Sequence, residues 1–146
     1  MQDPPSAAEL VRAVAAFLRE EAMPALEGRN AYLARVCANT LEIVARELDA
    51  APAADAAERM RLLALLGRGD DDPATLEALN AELCRRIESG EAGADTPGLL
   101  AHLWTTTLAA IAVDQPGYSG YRRALEESPP DRLAPPGGAA GPVTGD

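Results

Sequence analysis

Residues 30–48, NAYLARVCANTLEIVAREL, decide the fold because two residue types separate on this stretch at helical spacing. Leu33, Val36, Cys37, Thr40, Leu41, Val44 and Leu48 recur at threes and fours, which places them on one side of a helix. Arg35, Asn39, Glu42 and Arg46 are spaced in the same way and form a second line on the other side. The first line is expected to build a core, and the second offers charged, hydrogen-bonding groups.

Working toward the N-terminus, Ser6-Ala-Ala-Glu9 has the spacing of a capping box, so a first helix should start at Ser6. Leu10, Val11, Val14, Phe17 and Leu18 supply its apolar stripe, and Pro24 is expected to end it at Met23. Residues 25–29, with Gly28, form the turn into the central helix.

Toward the C-terminus, the central helix should end near Asp49, with Pro52 enforcing the break and Asp55 capping a short third helix. Met60, Leu62, Leu63, Leu65 and Leu66 make that helix apolar around much of its circumference, as suits a buried wedge. Residues 67–71 (GRGDD) read as an exposed turn. Asp72-Pro73 reads as a cap followed by proline at the first helical position, and Thr96-Pro97 repeats that grammar. The fourth helix then carries Leu76, Leu79, Leu83, Cys84 and Ile87 and stops at Gly90. The fifth carries Leu100, Leu103, Trp104, Thr107, Leu108 and Ile111. A turn-rich segment follows from Asp114, with room for one last helical stretch over residues 121–127. No segment has the alternation of a strand.

These elements predict an all-α, up-and-down bundle of about five helices over residues 1–127. Beyond Ser128, Pro and Gly dominate and apolar mass is scarce, which predicts a disordered tail over 128–146.

Composition narrows the chemistry. The chain of 146 residues has a net charge of -10, and its 13 basic residues are all arginine. Lysine-based covalent catalysis is therefore excluded, and arginine supplies every cationic side-chain anchor. The arginines are scattered or paired with acids, which argues against binding nucleic acid or an anionic membrane. No apolar run approaches the roughly 20 residues of a membrane span, and the N-terminus lacks a signal-peptide pattern, so a cytoplasmic location is expected. Cys37 and Cys84 fall on apolar helical lines and read as buried thiols.

Two clusters are candidate binding residues. Arg35, Asn39, Glu42 and Arg46 could grip an oxyanion, although their simpler role is a solvent face with a Glu42 to Arg46 pair. Asp114, Tyr118 and Tyr121, with Gln115, gather a carboxylate, an amide and two phenols in one turn, where tyrosine anchoring is the simpler role. His102 is the only histidine and falls off the expected apolar stripe, hence partly exposed. It has no neighbours at metal-ligand spacing. Asp70, Asp71 and Asp72 lack the glycine and glutamate offsets of a calcium loop. No metal, cofactor or reaction class is indicated.

Several segments together resemble a bacterial family of small helical domains of unknown function. They are residues 8–20 (AELVRAVAAFLRE), Arg35-Val36 with Asn39, the Ile43 to Glu47 segment, Leu79-Asn80 with Leu83-Cys84, and Val113-Asp114-Gln115-Pro116 followed by Tyr118 and Gly120-Tyr121. The resemblance implies a partner and no assigned reaction. That family is associated by gene neighbourhood or fusion with aminoglycoside-phosphotransferase-like kinases and acyl-CoA dehydrogenases. The leading expectation is thus a non-catalytic accessory or protein-interaction module working with such an enzyme. The alternative is a binding protein or enzyme for an anionic small molecule, held by Arg35, Asn39 and Arg46 with Asp114, Tyr118 or Tyr121 closing over it. A homodimer formed through paired helix faces is a third expectation.

Overall fold

The computed structural model describes residues 4–127, so the tail expected over 128–146 lies outside the described residues. Those residues form α1 (Ala7–Phe17), a π-helical turn (Leu18–Ala22), α2 (Met23–Ala25), α3 (Gly28–Leu66), α4 (Leu76–Glu88), α5 (Leu99–Asp114) and α6 (Ser119–Glu126). The first three run on without a break, giving five helical runs and no strand among the described residues. The chain is all-α, as its periodicity requires. Within the described residues no helix is long and apolar enough to cross a membrane.

The capping box forms as its spacing predicts. Ser6 Oγ accepts from the Glu9 N–H at 3.2 Å and the Ser6 N–H donates to Glu9 Oε2 at 2.7 Å. Both prolines depart from expectation. Before Pro24 the helix widens, with the Met23 N–H bonding to the Leu18 carbonyl, and helix persists to Ala25. A wide turn gives the proline ring room against the preceding carbonyls, and proline brings no N–H that needs an acceptor. Pro52 lies inside α3 and does not end it. Its ring is exposed and its flanks are rich in alanine, the best helix former, so the missing bond is tolerated. Asp55 is consequently mid-helix and caps nothing.

Two further starts are shifted. Asp72 Oδ1 accepts from the Ala74 N–H at 2.8 Å, which commits it to the turn, and Thr75 becomes the cap of α4 by accepting from the Ala78 N–H. Thr96 Oγ1 accepts from the Gly93 N–H at 2.9 Å, and α5 begins after Gly98, whose φ of 84° suits glycine.

The chain divides into two compact units, Met1–Ala54 and Asp55–Asp146. In the first, the buried side chains among the described residues are all alanine: Ala8 and Ala15 on α1, and Ala34, Ala38 and Ala45 on α3. Arg12 pairs with Asp49 and Arg19 with Glu42, so α1 and this part of α3 run antiparallel. Ala38, Glu42, Ala45 and Asp49 share one line of α3, which makes the alanine stripe the face turned to α1.

This corrects the expected core face. Leu33, Val36, Cys37, Val44 and Leu48 are exposed, and the small residues beside the polar line are buried instead. Closely approaching helices bury alanine and push larger side chains to the flanks.

The second unit holds a leucine core. Leu62, Leu63 and Leu66 of α3 meet Leu79 and Leu83 of α4, Ala92 and Leu99. The expected wedge is therefore buried at Leu62, Leu63 and Leu66, while Leu65 is half-buried and Met60 is exposed. On α5 the buried face is Leu99, His102 and Val113, while Leu103 and Trp104 are exposed. The face predicted for this helix is rotated, and His102 is buried. Cys37 and Cys84 are free thiols, as expected, but both are exposed and not buried.

Candidate functional site

The polar line of α3 is engaged with α1 and the π turn. Arg19 Nη2 donates to Asn39 Oδ1 at 3.0 Å, and its Nη1 pairs with Glu42. Arg46 Nη1 stands 3.9 Å from Glu42 Oε2, so the intrahelical pair expected from spacing is present, though long. A cleft of about 400 Å³ is lined here by Arg12, Arg19, Glu20, Glu42 and Arg46 over Ala16 and Ala45. Of the four predicted residues, Glu42 and Arg46 enter the cleft, Asn39 bonds at its edge, and Arg35 is exposed and not among its lining.

Arg12 and Arg19 are the additions that the sequence reading missed. Their spacing of seven is the signal, since it puts them in one line down the first helical run. The three cleft arginines are each matched to a carboxylate. Such exposed pairs contribute about 0–1 kcal/mol apiece, and they orient the two helices.

Asp114, Gln115 and Tyr118 line a smaller hollow of about 230 Å³ with Ile111. The backbone turns tightly: the Gln115 N–H donates to the Ile111 carbonyl at 2.8 Å and the Tyr118 N–H to the Gln115 carbonyl at 2.9 Å. Tyr118 is more than half exposed and folds back over Gly120, where a Cβ would sit 2.6 Å from the ring. Tyr121 is half-buried on α6. Arg35, Asn39, Glu42 and Arg46 belong to the first compact unit; Asp114, Tyr118 and Tyr121 belong to the second.

A third cleft, of about 410 Å³, lies in the second unit between the end of α3 and the start of α5. Arg61, Ala64 and Leu65 line one side, and Pro97, Gly98, Ala101, His102 and Thr105 the other. Arg61 Nη2 donates to Thr106 Oγ1 at 3.3 Å, while Arg61 Nε and His102 Nδ1 are buried with no hydrogen-bond partner among the described residues. His102 is 3% exposed, and burial followed by the nearby Arg61 charge holds its pKa below the ordinary histidine value. Glu58 opposes that shift, and its carboxylate accepts from Asn80 Nδ2 at 2.8 Å. The sequence signal for this site was present, because residues 99, 102, 106 and 113 share a line. It was obscured by the stronger apolar character of the neighbouring line.

A charged network fixes the turn between α3 and α4. Arg68 pairs with Asp72 at 3.0 Å and with Glu82, and Glu82 also accepts from Arg86 at 2.5 Å. Arg59 donates to the Asp72 carbonyl. Among the described residues no three His, Cys, Asp or Glu side chains stand close enough to hold a metal ion.

No curated protein and no solved structure matches this chain. A family model does, over residues 24–118, a span that includes α3, α4, α5 and the Asp114 turn and leaves out α1. The chain accordingly belongs to the family described as a domain of unknown function, DUF6285.

Proposed function

We propose that this protein is a non-catalytic helical interaction module that docks on an enzyme through the exposed apolar residues of its first unit. The observation that carries this is the mismatch in burial there. Alanines fill the seam, while Leu10, Val14 and Phe17 on α1 and Leu33, Val36, Val44 and Leu48 on α3 are 41–60% exposed. Leu10, Val14 and Phe17 form one line on α1 at spacings of four and three. An exposed apolar line of this kind is a usual mark of a protein partner. The resemblance noted from the sequence suggests the partner's class: a phosphotransferase-like kinase or an acyl-CoA dehydrogenase.

The test is affinity purification of the tagged full chain from its own cell extract, with a salt wash and mass spectrometry of what remains. A kinase or dehydrogenase of that class in stoichiometric amount, lost on Val14→Glu substitution, is the expected result. Recovery of a monomer with no such enzyme would overturn the reading. A released anionic metabolite without a protein would shift attention to the arginine-lined cleft of the first unit.

A further inference from the structure

We infer that the groove between α5 and α6 is a docking site for a segment of this same chain, the stretch from Pro129 to Pro136, with Leu133 set against Trp104. The inference is independent of the docking surface on the first unit, because groove and segment both belong to the second.

The groove has a volume of about 290 Å³ and is walled by Ala101, Trp104 and Leu108 of α5 and by Ala124, Leu125 and Glu127 at the end of α6. Residues 101, 104, 105 and 108 share one line of α5. Thr105, the polar member of that line, donates its hydroxyl to the Ala101 carbonyl at 2.8 Å, so it needs nothing from an occupant. Trp104 is 40% exposed and Leu125 61%. A large apolar side chain therefore stands in water on each wall. The consequence is sharpest for α6, whose 8 residues are too few to hold a helix by backbone bonding alone. Packing must hold it, and Leu125 adds little burial until something covers it.

Three features select the occupant. The chain leaves α6 at Glu127, which is itself part of the groove wall and whose backbone is already extended, at φ -80° and ψ 126°, so the residues that follow start at the groove. Their sequence, SPPDRLAPP over 128–136, sets one large aliphatic side chain, Leu133, between two proline pairs. Proline restricts the backbone before it docks, which lowers the entropy cost, and proline-rich segments laid in aromatic-lined grooves are a recurrent mode of recognition. The lengths agree as well. Residues 101 to 108 span about 10 Å of helix, and residues 128 to 133 reach up to roughly 19 Å in polyproline geometry.

Tethering favours this segment over an occupant from outside. A segment joined directly to the rim is present at an effective concentration on the order of millimolar. A second copy of the chain has no such advantage, and its charge of -10 opposes the approach.

Trp104 is the only tryptophan, so its indole reports on the groove without ambiguity. The experiment compares the full chain with Leu133→Asp, with Leu133→Met, and with Val143→Asp, which adds the same charge outside the segment. Each is followed by nuclear Overhauser contacts to the indole, by the fluorescence emission maximum and by acrylamide quenching, at a low and a high protein concentration. The parent should show contacts between the Trp104 indole and the Leu133 methyl groups at both concentrations. Leu133→Asp should shift the emission to the red and steepen the quenching, while Leu133→Met and Val143→Asp should match the parent in both.

The assignment is overturned if the parent lacks the contact between Trp104 and Leu133, or if Leu133→Asp leaves emission and quenching unchanged. It is equally overturned if Val143→Asp exposes the indole as much as Leu133→Asp does, since charge alone would then be the cause. Contacts that fade on dilution would assign the segment to a second copy and overturn it too.

Discussion

His102 shows how one buried side chain makes this protein sensitive to mild acid. Burial and the Arg61 guanidinium disfavour its imidazolium, and Glu58 only partly offsets them, so its folded pKa lies below the ordinary 6.5. The unfolded chain therefore takes up this proton first as pH falls. The stability that neutral His102 contributes is complete above pH 6.5 and is lost as pH drops through its lower folded value. An NMR titration of the ring should give a midpoint below 6.5, and His102→Leu should remove the matching segment of the thermal-stability profile. The alanine seam makes an equally local prediction. Ala38 is 0% exposed, and Ala38→Leu should cost about 1–3 kcal/mol in urea denaturation by overpacking. Leu33→Ala, a change of equal volume in the opposite direction, should cost less, because Leu33 is already exposed.

At the scale of elements, α3 carries a proline where a helix ordinarily stops. Pro52 forgoes one backbone bond, and Pro52→Ala should stabilise the chain by up to roughly 3 kcal/mol and raise its helical signal. A fall in stability would show that the proline itself is needed at this point of α3. Local grammar was legible at the start of α1, where Ser6 and Glu9 bond to each other's backbone. It was misread at Asp72 and Thr96, whose side chains were already used by Ala74, Arg68 and Gly93. Spacing gave the helices but not the buried face. On α3 the competing lines differ by one position, and hydropathy favours leucine over the alanine that close packing selects. On α5 the same ambiguity hid His102, since Arg61, the charge that stands near its ring, comes from another helix.

The turn between α3 and α4 titrates as a set. The Ala74 N–H, and then Arg68, hold Asp72 below its ordinary 3.8, and Arg86 with Arg68 hold Glu82 below 4.5. Their contribution is present above those values and is lost as pH falls through the lower folded ones. Glu82→Gln should flatten the acid limb of the urea midpoint while leaving the His102 segment unchanged.

For the molecule as a whole, net charge and apolar exposure pull in opposite directions. A charge of -10 makes copies of the chain repel one another, while the exposed line of Leu10, Val14 and Phe17 is apolar surface left in water. Substitutions on that line separate the two effects. Val14→Glu and Val14→Arg each remove the apolar group and move the net charge in opposite directions. Val14 is half exposed, so both should leave folding stability within about 0.5 kcal/mol of the parent, measured by urea denaturation. If apolar burial carries partner binding, both variants should lose the captured enzyme alike. Loss with Val14→Glu alone would mean that the partner surface is itself acidic and that charge, not the apolar line, decides the encounter. A drop in stability with both variants would show that Val14 is part of the fold and would withdraw the first unit as a docking surface.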